Sequence, residues 1–225
     1  MKKNNKENNV NLKKIKRMAV ASYQNALRLH EDAIMLFKKK RYPSAYNLSV
    51  HSLEEIGKYY WLDDFVYHSR IDGRMTMKEE EIFIGSIYHH RAKQNMFSYG
   101  NNPIDADKDI LKLIHSGKLE KYKQESMYVG LPKIKNKIDL FGKISIPTKK
   151  ITETRAIKQI TFINDFIICH IAGLKKGAYF EDIEEVENIL DYNLMNRLLK
   201  IWTHMSNSAK KRYTYFMKHP DVEYI

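Results

Sequence analysis

The apolar residues of the segment from Thr152 to Gly177 recur every three to four positions, which strongly constrains the fold. The repeat comprises Ile157, Ile160, Ile163, Ile167, Ile171 and Leu174. Successive residues of an α-helix are rotated by about 100°, so this spacing places the apolar side chains on one face. Thr152 can cap the start of such a helix, and Gly177 can end it. The segment therefore predicts one long helix of a helical bundle.

Other parts of the chain have the same spacing or carry helix boundary signals. Further helices are predicted at about residues 19–38, 43–68, 77–97, 107–116 and from Phe180 onward. Residues 126–147 differ, because their short apolar runs are bounded by glycine and proline and favour an extended excursion or a small hairpin. No repeat of 20 to 50 residues is visible. The sequence thus predicts an all-α antiparallel bundle of roughly five or six helices.

The charge distribution divides the chain into a tail and a body. Residues 1–17 are rich in lysine and asparagine with few apolar side chains, so we expect a disordered basic arm before one helical domain at residues 18–225. The net charge of +12 favours a polyanionic partner such as RNA, DNA or an anionic membrane. An AT-rich genome would also produce this composition, so charge alone does not establish function. One cysteine, Cys169, excludes an internal disulfide.

No run of about eighteen uninterrupted apolar residues is present. We therefore expect a cytoplasmic protein without a membrane partner.

Residues 51–58 place charged groups in an otherwise apolar helical stretch. On a helical wheel His51, Glu54, Glu55 and Lys58 share one narrow arc. An ion pair between Glu54 and Lys58 would explain two of these groups structurally. It would leave Gly57 unexplained, since glycine inside a helix costs about 1 kcal/mol relative to alanine. A glycine there predicts close approach of another backbone, and the polar arc is either a brace or part of a site.

A second polar group follows at residues 89–93. His90 shares a helical face with apolar residues, and Lys93 lies one turn further on. If the second and third helices pack against each other, Glu55, Lys58, His90 and Lys93 would form a cluster that binds phosphate and supplies an acid or a base. We expect no metal and no cofactor, because the Glu-x-x-His pairs of carboxylate-bridged bundles are absent.

Several short motifs, taken in order, resemble the AbiV family of bacterial abortive-infection proteins. The motifs are Ala26-Leu27 with Asp32-Ala33, Tyr42-Pro43-Ser44-Ala45, Glu54-Glu55-Ile56-Gly57-Lys58, His90-Arg91-Ala92-Lys93, Tyr128-Val129, and Pro147 through Ala156. The resemblance covers about residues 19–160. It implies a HEPN-like helical bundle and a role in phage defence.

The resemblance also implies candidate catalytic residues. Many HEPN proteins are dimeric ribonucleases in which four to six residues separate an arginine from a following histidine; the arginine holds the scissile phosphate and the histidine acts as base or acid. Arg197 with His204 and Arg212 with His219 have this spacing here. Arg197 and His204 are the better candidates, because we expect both on one face of the last helix. The arginine is followed by Leu198, where the family signature tends to have a polar residue.

The sequence thus leads to two functional hypotheses. The first is a phage-defence effector, a homodimer that acts on RNA or the translation machinery, including the ribosome. In the nuclease version of this hypothesis, the protein is a metal-independent HEPN-type endoribonuclease. Its candidate catalytic residues are Glu55, Lys58, His90, Lys93, Arg197 and His204. The alternative is a noncatalytic interaction protein, whose polar arc is structural or binds a phage-encoded activator.

Overall fold

A computed structural model describes residues 12–71, 77–100, 108–131, 133–134, 137–175 and 183–219. These residues form ten α-helices and one two-stranded hairpin. The helices are α1 (Leu12–Lys38), α2 (Tyr42–Ile71), α3 (Met77–Ser86), α4 (His90–Gly100), α5 (Lys108–His115), α6 (Lys118–Met127), α7 (Pro147–Lys150), α8 (Glu153–Leu174), α9 (Tyr192–Ile201) and α10 (Asn207–Lys218). The predicted all-α fold is confirmed, but five or six helices was too low a number because several predicted segments are divided.

The first two helices, which a short turn connects, make the most extensive contact between any two of the described elements. Lys40, in the turn between them, has a φ of 59°. The Ser52 hydroxyl of α2 donates a hydrogen bond of 2.8 Å to the Ala26 carbonyl of α1. Residues 12–17, which we expected in the basic arm, instead belong to α1, because Ile15 is buried in the core. The rest of the predicted arm, residues 1–11, lies outside the described residues.

The predicted long apolar helix is α8, and it lies in the core against α1 and α2. The Thr152 hydroxyl caps its start by accepting a hydrogen bond from the Arg155 amide, as predicted. Tyr23 of α1 contacts His170 of α8 through a buried hydrogen bond of 3.1 Å. By length and composition α8 could cross a membrane, but 72% of its most apolar stretch is buried inside the protein.

The third predicted helix, residues 77–97, is divided into α3 and α4. The turn between them is closed by bonds from the Tyr88 amide to the Gly85 carbonyl and from the His89 amide to the Ser86 carbonyl. The Ser86 hydroxyl also bonds the Ile82 carbonyl one turn earlier. Because α4 starts anew at His90, it can take its own direction across α2.

Residues 108–150 contain two helices that the sequence did not predict, α6 and the short α7. Gly117 (φ 70°) ends α5 and begins α6, and the left-handed conformation at this position suits glycine. The predicted hairpin within residues 126–147 is confirmed: strand β1 (Lys133–Ile134) pairs antiparallel with strand β2 (Lys137–Ile138). An isolated bridge between Gly130 and Ser145 closes the hairpin nearer its base.

The final helix predicted from Phe180 is wrong over residues 183–191. A short 3₁₀ turn (Glu184–Val186) occupies part of this stretch. The chain is held here by a bond of 3.0 Å from the Ile183 amide to Asp63 of α2. Asp191 then caps α9 by accepting a bond of 2.7 Å from the Leu194 amide, so the helix begins only at Tyr192. The start at Phe180 lies outside the described residues.

Candidate acid-base site around Glu54

Gly57 brings α2 and α4 unusually close together. A Cβ atom at this position would lie 1.9 Å from the Lys93 carbonyl oxygen and 3.2 Å from the Phe97 nitrogen. The Trp61 indole, one turn further along α2, donates a hydrogen bond to the Ala92 carbonyl of α4. The prediction that Gly57 permits close approach of another backbone is therefore confirmed.

This approach surrounds Glu54 with polar side chains from two other helices. Glu54 is only 1% exposed. Its Oε2 accepts a hydrogen bond of 2.7 Å from His90 Nδ1 of α4. Its Oε1 accepts bonds from Gln94 Nε2 of α4 at 2.8 Å and from Lys123 Nζ of α6 at 2.7 Å. We call Glu54, His90, Gln94, Lys123 and their neighbour Glu120 the Glu54 centre.

Lys123 links the two carboxylates of the centre. It is 2% exposed, and its Nζ lies 2.8 Å from Glu120 Oε2 as well as 2.7 Å from Glu54. Gln94 Nε2 also bonds Glu120, at 3.1 Å. Two carboxylates with one ammonium leave one negative charge, which a protonated histidine at the edge of the centre would balance.

The hydrogen bonds keep both carboxylates ionised despite their burial. Burial by itself would raise the pKa of Glu54, but His51, Lys123 and Gln94 together lower it to about 2. The pKa of Glu120 is also lowered: burial opposes this shift, and hydrogen bonds from Lys123 and Gln124 cause it. The centre therefore presents fixed negative charge to any imidazole that reaches it.

Two histidines lie where the centre meets solvent. Half of the His90 side chain is exposed, and 34% of the His51 side chain. Their ring centroids are 6.3 Å apart, and His51 Nδ1 lies 3.5 Å from Glu54 Oε2. Because an ionised carboxylate can only accept, the proton of neutral His90 resides on Nδ1. Nε2 of His90, which has no hydrogen-bond partner among the described residues, can then act as a base.

The same residues offer ligands for a metal ion. Glu54, His90 and Glu120 each have a donor atom, and these atoms lie within 4.8 Å of one another. The Lys123 ammonium lies between the two carboxylates, 2.7 and 2.8 Å away. A cation bound by both carboxylates would have to displace this ammonium, which already supplies positive charge there.

The cluster predicted from the sequence is only partly brought together. His90 contacts Glu54, the residue before the predicted Glu55. Glu55 and Lys58 are half-buried, and neither forms a hydrogen bond or ion pair through its side chain with the residues that the structure describes. Lys93 is buried, and its contribution to the contact with α2 is its backbone carbonyl. The anticipated pairing of Glu54 with Lys58 is replaced by pairing with Lys123.

The second predicted pair is not on one helical face, which corrects the expectation. Arg197 is on α9, where its Nη2 lies 2.7 Å from Glu31 Oε1. His204 follows the end of α9, and its ring lies against that of Trp202 in a tilted arrangement, with centroids 4.8 Å apart. The other pair of this spacing is similarly divided, since Arg212 lies within α10 and His219 follows its last residue.

Three members of the centre were missed by the sequence reasoning: Gln94, Glu120 and Lys123. Two of them lie on α6, which was not predicted. Leu119, Lys123 and Ser126 form its buried face at helical spacing. This helical spacing, with a lysine on the apolar face, is the sequence signal that could have predicted α6 and its buried lysine.

The helical bundle agrees with the HEPN-like class of all-α proteins. A family model described as HEPN_AbiV (AbiV) matches residues 14–167, which run from α1 into α8 and include the whole Glu54 centre. Because the match spans more than half of the sequence, the chain belongs to the AbiV family, whose name implies abortive infection, a defence against phage. No curated protein matches the chain, nor does any solved structure.

Proposed function

We propose that the protein carries out phage defence by cleaving RNA at the Glu54 centre. The observation that supports this most is the bond of 2.7 Å between His90 Nδ1 and the buried, ionised Glu54. A carboxylate in this position fixes the orientation and tautomer of the imidazole, as in other acid-base sites. The net charge of +12 would favour a polyanionic substrate.

The chemistry requires a base and an acid on either side of one phosphate. In the proposed step, His90 Nε2 removes the proton from a ribose 2′-hydroxyl, and the 2′ oxygen attacks the adjacent phosphorus. The bond from phosphorus to the 5′ oxygen breaks, and protonated His51 gives that oxygen a proton. The products are a 2′,3′-cyclic phosphate and a 5′-hydroxyl. Lys58, one helical turn beyond Glu54, is our candidate for stabilising the phosphate charge.

The test compares phage plating and RNA integrity in infected cells expressing wild-type or variant protein. His90→Gln removes the base, so we expect loss of protection and intact RNA. His115→Gln changes an exposed histidine on α5, outside the centre, and should behave as wild type. If His90→Gln folds, protects fully and leaves RNA cleavage unchanged, the proposal is wrong. Loss of cleavage with His204→Gln alone would assign the site to the C-terminal pair.

One observation supports the noncatalytic alternative. Lys123 and Glu54 are almost fully buried and join α2, α4 and α6, so the centre could serve only as a brace for a surface that binds another protein. This alternative predicts that folded His51→Gln and His90→Gln variants protect cells fully. It also predicts recovery of a phage-encoded protein with the tagged chain from infected cells, with no RNA turnover.

A further inference from the structure

The stretch of chain that begins with β2 exposes a compact group of apolar side chains. We call residues 137–144 the hairpin tip. Four of its side chains are each at least 61% exposed, and one of the four is fully exposed: Ile138, Leu140, Phe141 and Ile144. Single exposed apolar residues are common on protein surfaces, but four of them within seven residues form a patch of the kind that contacts a protein or a membrane.

Hydrogen bonds hold the hairpin tip in a defined turn. The Phe141 amide donates a bond of 3.1 Å to Asp139 Oδ1, and the Gly142 amide donates one of 3.2 Å to the Asp139 carbonyl. Leu140 and Phe141 therefore occupy the two central positions of an ordered turn. Both side chains face solvent there, at 74% and 100% exposure.

Two exposed lysines flank this turn. Lys137 and Lys143 form no hydrogen bond or ion pair through their side chains with the residues that the structure describes. Asp139 is the only acid in the sequence of the tip, and its carboxylate accepts the bond from the Phe141 amide. Lys143 lies two residues from Phe141 and Lys137 lies four, so their Cα atoms are within about 14 Å of that residue. Positive charge and apolar side chains therefore share one small region.

The chemistry of the hairpin tip suits an anionic lipid surface. Three of its four exposed apolar side chains are aliphatic, and aliphatic groups enter the apolar part of a bilayer, whereas single-stranded RNA is bound largely by stacking on aromatic rings. Lysines beside such groups are attracted to the negative surface of anionic lipids. The net charge of +12 adds attraction at longer range.

We propose that the hairpin tip binds anionic membrane surfaces reversibly. Leu140 and Phe141 enter the boundary between headgroups and acyl chains, and the two lysines contact lipid phosphates. The expectation of no membrane partner rested on the lack of a spanning stretch in the sequence, and a peripheral contact needs no such stretch. The proposal does not depend on whether the Glu54 centre cleaves RNA.

The first test measures how much of the full chain sediments with lipid vesicles as the lipid concentration rises. Wild-type protein should bind vesicles of phosphatidylcholine with about 30% phosphatidylglycerol, and should bind phosphatidylcholine alone at least about tenfold more weakly. Leu140→Ser with Phe141→Ser should lower the partition coefficient at least about tenfold. Met35→Ser with Ile82→Ser, which changes two exposed apolar residues of α1 and α3, is the matched control and should leave it unchanged.

Charge reversal tests the contribution of the lysines. Lys137→Glu with Lys143→Glu should weaken binding to the anionic vesicles at least about tenfold. Lys200→Glu with Lys211→Glu makes the same change in net charge at exposed lysines of α9 and α10, and its effect should be several-fold smaller. Equal effects of the two pairs would show that net charge alone attracts the protein, which would overturn the proposal.

Insertion into the bilayer is tested separately, because charge alone could hold a protein at the surface. The fluorescence of Phe141→Trp should be quenched by anionic vesicles whose acyl chains are brominated. Wild-type protein is the control, since its two tryptophans, Trp61 and Trp202, lie on α2 and at the end of α9. An unquenched Trp at position 141 would contradict insertion.

All of the changed side chains are exposed, so each variant should keep the circular dichroism spectrum and the urea midpoint of wild type. The proposal is overturned if wild-type protein does not sediment with anionic vesicles, or if folded Leu140→Ser with Phe141→Ser binds them equally well. A double variant that loses RNA binding but keeps vesicle binding would assign the hairpin tip to RNA, which would overturn the proposal too.

Discussion

At the scale of single residues, the composition of the site depends on which of two adjacent glutamates of α2 faces α4. Glu54 and Glu55 are rotated by about 100° around α2, so only one of them can face α4. The sequence predicted that a carboxylate of α2 and His90 belong together. Which carboxylate it would be depends on the rotation of α2 against α4, and a residue pattern within one helix does not contain that information.

Lys123 provides the clearest stability prediction. Replacing it with methionine keeps an apolar chain of similar length but leaves the buried Glu54 carboxylate without its ammonium. We expect a loss of about 3–5 kcal/mol in unfolding free energy, measured by urea denaturation at pH 7. Lys121→Met, a change to an exposed lysine of the same helix, should cost no more than about 0.5 kcal/mol. A Lys123→Met protein as stable as wild type would contradict a stabilising role of the buried pair Lys123 and Glu54. Adding Glu54→Gln to Lys123→Met should recover part of the lost unfolding free energy.

Asp165 provides a prediction in which ionisation of a buried carboxyl group lowers the stability of the fold. Burial raises its pKa to about 6 from 3.8, although Ser206 and Lys210 oppose the shift. Its Oδ2 accepts a hydrogen bond of 2.9 Å from the Ser206 amide, while the buried Oδ1 has no hydrogen-bond partner among the residues that the structure describes. The pKa of Asp165 is higher in the folded protein than in the unfolded chain. Its contribution to the unfolding free energy is therefore fully present below about pH 4 and is lost as the pH rises through about 6.

Asp165→Asn should therefore stabilise the protein at pH 7. The amide oxygen can still accept the Ser206 bond, and no charge remains to be buried. We expect a gain of up to about 2 kcal/mol at pH 7 that disappears near pH 4, measured as the difference in unfolding free energy from wild type. A gain that is the same at both pH values would show that ionisation is not its cause.

At the scale of elements, the spacing of apolar residues predicted the helices that pack in the core. It did not predict the positions where the chain leaves a helix and turns. The apolar repeats located α1, α2 and α8, and the boundary residues located the hairpin. The break between α3 and α4 was missed because both halves continue one apolar spacing, and it depends on contacts with α2. The acidic stretch at residues 183–191 resembles a helix start, but Asp63 and Asp191 hold it as a turn.

The contact between α2 and α4 can be tested at Gly57. Gly57→Ala would place a methyl group against the Lys93 carbonyl, so α4 must move away from α2. We expect a loss of at least about 2 kcal/mol in unfolding free energy. Gly85→Ala on α3 is the matched control, since its Cβ would meet nothing within 4 Å, and helix propensity should make it neutral or stabilising by up to about 1 kcal/mol. Equal effects of the two changes would contradict the close contact.

At the scale of the whole molecule, α6 connects the proposed acid-base site to the hairpin of β1 and β2. It supplies Lys123 and Glu120 to the Glu54 centre and ends at Met127, a few residues before β1. The family match includes both regions. One short helix thus joins the hairpin to the proposed acid-base site.

The proposed mechanism requires that His90, held by Glu54, takes part in RNA cleavage. The most direct measurement is single-turnover cleavage of end-labelled RNA by purified protein in the presence of EDTA, with identification of the product ends. Wild-type protein should produce 2′,3′-cyclic phosphates, and His90→Gln should be slower by at least about a hundredfold, with RNA binding retained. His115→Gln should cleave at the wild-type rate. The claim is contradicted if wild-type protein cleaves no RNA, or if His90→Gln cleaves it equally fast.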